Sequence, residues 1–171
     1  MSFFELAKSR YSVRKFLSRP IEQEKLDRII ESGRIAPTAK NNQPQKVYIL
    51  RSEEALKKIN GLTPCVYGAP IVLMVCYDFN IAWHNSYRRA YDSGEIDSSI
   101  VCTHMMLEAW DLGIGSCWVG MFSDKEVAEA FSLPENIKPV ALMPLGYPAP
   151  DAAPSLKHDT FRPKEETVFE L

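Results

Sequence analysis

Apolar residues recur at two spacings along this chain, and the switches between them mark its elements. Ser2 followed by Glu5 is a capping-box pattern, in which a hydroxyl accepts the backbone N–H three residues on; it predicts a short helix ending near Arg10. Pro20 opens a second helix whose Leu26, Ile29, Ile30 and Gly33 share one face, and Pro37 stops it. A polar loop over 38–45 leads into Lys46 to Arg51, which predicts a strand. Ser52 caps the next short helix and Gly61 closes it. Pro70 to Tyr77 is apolar on both alternating faces, as a central strand covered from two sides must be.

Glu95 to Leu112 reads as a helix with almost no polar face, carrying Ile96, Ile100, Val101, Met105, Met106, Leu107 and Trp110. Such a helix belongs in the middle of a molecule. Gly113 ends it, Ser116 to Met121 predicts another strand, and Ser123 with Glu126 forms a second capping box ahead of Val127, Ala130 and Phe131. Lys138 to Leu145 predicts a fourth strand. The segment 79–94 is aromatic and polar without a period, as in a loop or partly helical flap. Beyond Gly146 the chain is proline-rich and closes on a strand-like Thr167 to Leu171. An arm of this kind buries itself poorly on its own domain, which points to docking on a second subunit. Helices and strands mix without strict βαβ order, so the expected class is α+β, in a single domain over 1–171.

Composition narrows the function classes. A chain of 171 residues with 46% apolar content has material for one substantial core. Its longest apolar run, Ala69 to Tyr77, is far shorter than the roughly 20 residues of a membrane span, and no secretory signal precedes the first helix. A net charge of −2 predicts neither nucleic-acid nor membrane affinity. The expected setting is therefore cytoplasmic. Cys65, Cys76, Cys102 and Cys117 show no metal-ligand spacing with the three histidines and read as small buried hydrophobes. His84, His104 and His158 read as helix or surface residues.

Three segments could carry chemistry. Ser9 to Phe16 packs three cations and two serines just past a short helix; if extended, Arg10, Ser12 and Arg14 point to one side and suit a phosphate. A solvated basic loop would have the same composition. Ala36 to Pro44 is bracketed by prolines and rich in small and amide side chains, so it could lie against a planar ligand or simply connect elements with good turn formers. Gly113-Ile-Gly115 follows a helix and enters a strand, the reverse of the dinucleotide fingerprint. These glycines are better suited to ending a helix and letting backbone approach something closely. Trp118 is either core or the wall of a ligand slot.

The order of these segments is more telling than any one of them. Arg10-x-Ser12-x-Arg14, then Pro37-Thr-Ala-x-Asn41-x-Gln43-Pro44, then Leu112-Gly-Ile-Gly-Ser-Cys-Trp-Val-Gly120, then Leu145-Gly-Tyr-Pro148 and a late Arg162 together resemble the flavin-dependent nitroreductase family, in its short bacterial and archaeal branch. The resemblance implies an α+β sandwich around a mainly antiparallel sheet, and an intertwined homodimer holding two FMN molecules at the subunit interface. By position, Arg10, Tyr11 and Ser12 would lie in the cofactor site, with Arg10 and Ser12 on the phosphate, helped by Arg162. Arg14 would lie at the pyrimidine edge of the flavin. Pro37, Thr38, Ala39 and Asn41 would come from the other subunit and pack on or beside the ring. Trp118, Val119 and Gly120 would pass its other face, with a backbone N–H near N5. The chain departs from relatives at Gln45, often aromatic, and at Thr160, often basic; Lys157 or His158 could substitute for the latter.

What the resemblance implies chemically is NADH or NADPH reducing FMN, followed by reduction of a nitroaromatic, a quinone or a similar planar acceptor in the same slot, a ping-pong cycle. Arg14 would stabilise negative charge developing at the flavin edge. No catalytic side chain and no metal is implied, because the cofactor carries the redox chemistry. Two alternatives share the scaffold: a specialised dehalogenating or flavin-fragmenting enzyme, and an FMN carrier or sensor with little turnover.

Overall fold

The computed structural model describes residues 2–88 and 91–171. Among these residues five α-helices flank one four-stranded sheet: α1 (Phe3–Ser9), α2 (Gln23–Arg34), β1 (Gln45–Leu50), α3 (Glu53–Leu62), β2 (Ile71–Asp78), α4 (Gly94–Asp111), β3 (Gly115–Ser116), α5 (Asp124–Ala130) and β4 (Ile137–Gly146). Every pairing in the sheet is antiparallel, in the order β1-β2-β4-β3.

Local chemistry accounts for most boundaries. The Ser2 and Ser123 hydroxyls each accept the N–H of the residue three on, Glu5 and Glu126, both at 3.2 Å. Ser52 does the same for Ala55. α3 runs through Gly61 and stops at Thr63, whose backbone turns extended; the expected glycine stop does not occur, and Thr63 instead caps the 3₁₀ turn Pro64–Val66 through Cys65 N–H.

The alternation of β2 sorts its side chains between two cores. Ile71, Leu73 and Val75 join Leu26 and Ile29 of α2 and Val101, Cys102 and Met105 of α4. Val72, Met74 and Cys76 face the opposite layer, with Ile59 of α3 and Val127 of α5. The result is a helix–sheet–helix sandwich, each fully buried aliphatic contributing about 1.5–3 kcal/mol of transfer free energy. α2 and α4 cross closely at Gly33, where a Cβ would come within 2.8 Å of Met105 Cγ.

Two strand expectations are corrected. The strand read over Ser116 to Met121 is a two-residue β3 plus an isolated bridge between Val119 and Leu142. The register is continuous from Gly115–Gly146 through Val119–Leu142, but Pro144 falls between these pairs and has no N–H to donate, so the ladder breaks there. The end at 167–171 is not a strand: it follows a 3₁₀ turn, Lys164–Glu166, and pairs with no strand among the described residues. Phe169 is 73% exposed.

α4 also departs from its expectation. Val101, Cys102, Met105 and Ala109 are buried, yet Ile96 is 51% exposed and Ile100 and Leu107 only half-buried. One chain covers half of this apolar helix.

Candidate flavin site

Arg10 is the C-cap of α1, its N–H donating to Leu6 O at 3.1 Å. The chain then extends along β3: Ser12 bridges Ser116 in parallel, and Val13 N–H donates to Ser116 O at 2.9 Å. Gly115 makes this approach possible, since a Cβ there would come within 2.7 Å of Val13 Cγ2. Gly113, at φ 75°, ends α4 in the left-handed region. The two glycines therefore do what their spacing predicts, and the closely approached group is Val13.

Arg10, Ser12 and Arg14 all act on the Cys117 thiol. Burial pushes this thiol up, while Arg14, Ser12 and Arg10 pull it the other way. Neither Arg10 nor Arg14 forms an ion pair among the described residues; Arg14 Nη1 donates to Ser12 O at 3.2 Å. Tyr11 behaves differently. Its hydroxyl donates to Ala152 O at 3.3 Å, and its ring stands edge-on to Trp110 at 5.1 Å and to His158 at 6.2 Å. Its side chain pins the tail to α4 rather than joining the cationic group.

Arg162 donates to Glu166 at 3.2 Å. Its neighbour Phe161 and His158 line, with Phe4, Ala7, Lys8 and Arg10, a cleft of about 520 Å³ between α1 and the tail.

Trp118 is 40% exposed, so it is not core. It lies over Gly120, where a Cβ would come within 2.8 Å of the indole. Val119 is buried and exchanges two hydrogen bonds with Leu142, at 2.9 and 3.0 Å, so its amide is engaged in the sheet. The amides of Trp118 and Gly120, on the alternate side of the backbone, donate to nothing among the described residues. Beside them Glu95 and Ser99 complete a cleft of about 300 Å³.

The second loop is held in an unusual backbone. Lys40, Asn41 and Gln43 have φ of 52°, 56° and 51°, a region that costs L-residues of order 1–3 kcal/mol each. Gln43 N–H donates to Thr38 Oγ1 at 3.0 Å, Gln43 Nε2 to Asn41 Oδ1 at 3.2 Å, and Asn42 Nδ2 to Ile81 O at 2.9 Å. Ala39 N–H donates to Asp97 Oδ1 at 2.9 Å. Asp97 is 2% exposed and escaped the sequence reading, its one signal being an acid in the first turn of an otherwise apolar helix.

These two groups sit at opposite ends of α4. Asp97 anchors Ala39 near its start, whereas Trp110 Nε1 donates to Ser9 Oγ near its end, at 2.9 Å. Between them the helix rises about 20 Å at about 1.5 Å per residue. Ser9, just before the cationic segment, and Ala39 of the 37–41 loop thus attach to α4 about 20 Å apart within one chain. Of the 79–94 segment, Arg89 and Ala90 lie outside the described residues; the rest closes on itself through Ser93 N–H to Trp83 O at 2.9 Å and an edge-on contact of Phe79 with His84.

The Nitroreductase family pattern matches residues 7–63 and 60–147. The chain belongs to the nitroreductase family. A Methanothermobacter thermautotrophicus protein with the provisional name NADH dehydrogenase/NAD(P)H nitroreductase is 31% identical over 156 residues, covering 87% of this chain and 78% of that protein. A Bacillus subtilis FMN reductase [NAD(P)H] is 30% identical over 159 residues, covering 83% of this chain and 64% of the relative. The crystal structure of a nitroreductase family protein from Clostridium difficile is 37% identical, with a TM-score of 0.92 over 99% of this chain and 98% of that one. The antiparallel sheet between helical layers is thus the nitroreductase fold.

Proposed function

We propose that this nitroreductase-family chain is an NAD(P)H-dependent FMN oxidoreductase acting on nitroaromatic, quinone or similar planar acceptors, working as a homodimer with the flavin between two copies. The observation that carries the reading is the pair of guanidinium groups, Arg10 and Arg14, flanking Ser12 without a carboxylate partner among the described residues. Two uncompensated cations beside a hydroxyl suit an anionic phosphate, because charge-assisted hydrogen bonds are the strong ones. The donor set therefore fits FMN. The names of the Bacillus and Methanothermobacter relatives support the same cofactor and reductant.

Bound FMN would supply hydride acceptance and hydride return. The residues of the chain bind and orient. Arg10 and Ser12 hold the phosphate, with Lys157 or His158 supplying a further donor from the tail. Arg14 presents fixed positive charge to the pyrimidine edge and favours the reduced, more negative form. Trp118, Val119 and Gly120 form one wall, the Trp118 and Gly120 amides providing the donors, since Val119's is spent in the sheet. Pro37, Thr38, Ala39 and Asn41 of the other copy form the second wall.

Exposed Ile96 on α4 and exposed Leu156, Phe161, Val168 and Phe169 on the arm support the dimer: each is an apolar side chain that a second copy would remove from water. The reading includes a cytoplasmic setting, which the four unpaired cysteines suit.

Purified protein should be yellow, bleach anaerobically with NADH or NADPH, and recolour on adding a nitroaromatic. Double-reciprocal plots should be parallel, because both substrates use one slot in turn. Colourless protein that takes up no added FMN contradicts the assignment.

A further inference from the structure

A buried carboxylate links the loop over 37–41 to the segment before α4. Asp97 Oδ1 accepts Ala39 N–H at 2.9 Å, and Oδ2 accepts the Ser93 hydroxyl at 2.7 Å. Ser93 Oγ in turn accepts Trp83 N–H at 3.2 Å, and Ser93 N–H donates to Trp83 O at 2.9 Å. Asp97 and Ser93 are 2% and 4% exposed, so these bonds do not compete with solvent. Asp97 is also tied to its own element, its N–H donating to Ser93 O at 2.8 Å.

The loop needs such an anchor. Three of its non-glycine residues, Lys40, Asn41 and Gln43, hold left-handed backbone, and strained conformations persist only where surrounding contacts over-determine them. Ala39 stands at the head of that run, immediately before Lys40. Of the polar contacts that hold the loop, the Ala39 contact is the one made to a buried charged group. Asp97 itself lies in the first turn of α4, where the helix dipole favours an acid.

We infer that Asp97 is a positioning residue: it fixes the 37–41 loop in its flavin-packing conformation and couples that loop, through Ser93, to the segment around Trp83. The inference rests on the flavin reading above, with the loop packing on the flavin shared with the other copy. Movement at Trp83 is then transmitted to Ala39 through Ser93 and Asp97. Asp97 touches no cofactor and takes no part in electron transfer.

Asp97→Ala should raise the FMN Kd about tenfold, the loss expected for one hydrogen bond to a charged group, and speed amide exchange at Ala39. Asp97→Asn keeps an oxygen for Ala39 N–H and should recover most of the FMN affinity and the Ala39 protection. Ile59→Ala, a truncation in the opposite core, controls for stability: it should lower the melting temperature and leave both readouts at the wild-type value. Should the alanine variant not fold, Ser93→Ala decides: it removes the acceptor of Trp83 N–H directly, so faster exchange at Ala39 supports the coupling and wild-type exchange at Ala39 overturns it. Asp97→Ala that binds FMN like wild type with Ala39 still protected also overturns it. Wild-type protein that binds no FMN defeats the flavin reading instead, a separate result.

Discussion

Arg10 and Arg14 keep their charge uncompensated, whereas cations such as Lys15, Arg28 and Arg34 are paired with Asp151, Glu108 and Glu31. That contrast gives the residue-scale prediction. Arg10→Ala should weaken FMN binding by about 1.5–3 kcal/mol per lost charge-assisted hydrogen bond, roughly ten- to a hundredfold in Kd, read by flavin fluorescence quenching. Unaltered retention would remove Arg10 from the phosphate. A glycine supplies a second test. In an open helix, Gly→Ala stabilises by about 1 kcal/mol. At Gly94 the added Cβ would overlap the Tyr77 ring, so Gly94→Ala should destabilise by about 1–3 kcal/mol, measured by denaturant titration.

Between elements, the contact most open to titration joins α2 to the end of β4. Tyr147 Oη donates to Glu22 at 2.5 Å, and Lys25 Nζ donates both to Tyr147 Oη and to Leu112 O just past α4. The Tyr147 hydroxyl chiefly, with Glu22's own backbone N–H, Arg19 and Lys25, holds the Glu22 carboxyl down to about 2 from 4.5. Because the folded value lies below the unfolded one, this contribution is complete above about 4.5 and is lost as pH falls toward about 2. Tyr147→Phe should flatten the fall of the urea midpoint across that window; an unchanged slope would place the acid sensitivity elsewhere.

The elements also show what was legible in the sequence. Capping boxes at Ser2 and Ser123 and the two-faced run of β2 are local signals, and both are where the pattern puts them. The strand over 116–121 was misread because its limit is set by Pro144, far along the chain and visible only once the register is known. Of the candidate site, the order of the motifs was legible. The side on which Tyr11 falls was not, because Trp110, His158 and Ala152 decide it through tertiary contacts.

On the scale of the whole molecule, α4 reads as a central helix yet leaves Ile96 exposed and Ile100 and Leu107 half-buried, and the arm beyond Gly146 leaves Phe161 and Phe169 in water. In the proposed homodimer a second copy would cover both. On that reading Ile96→Glu should convert dimer to monomer in sedimentation velocity and release FMN in the same step; a dimer that survives the change would move the interface off α4. On the proposed reading each flavin is held by Arg10 of one copy and the 37–41 loop of the other, the Ser9 and Ala39 anchors on α4 standing about 20 Å apart within one chain. The most direct measurement is the FMN stoichiometry of a mixed dimer assembled from an Arg10→Ala chain and an Ala39→Asp chain, each binding poorly alone. Sites shared between copies place both lesions in one site and leave the other intact, predicting one tight FMN per mixed dimer. Sites built within a single chain would leave one lesion in each, and no tight binding at all would contradict the account.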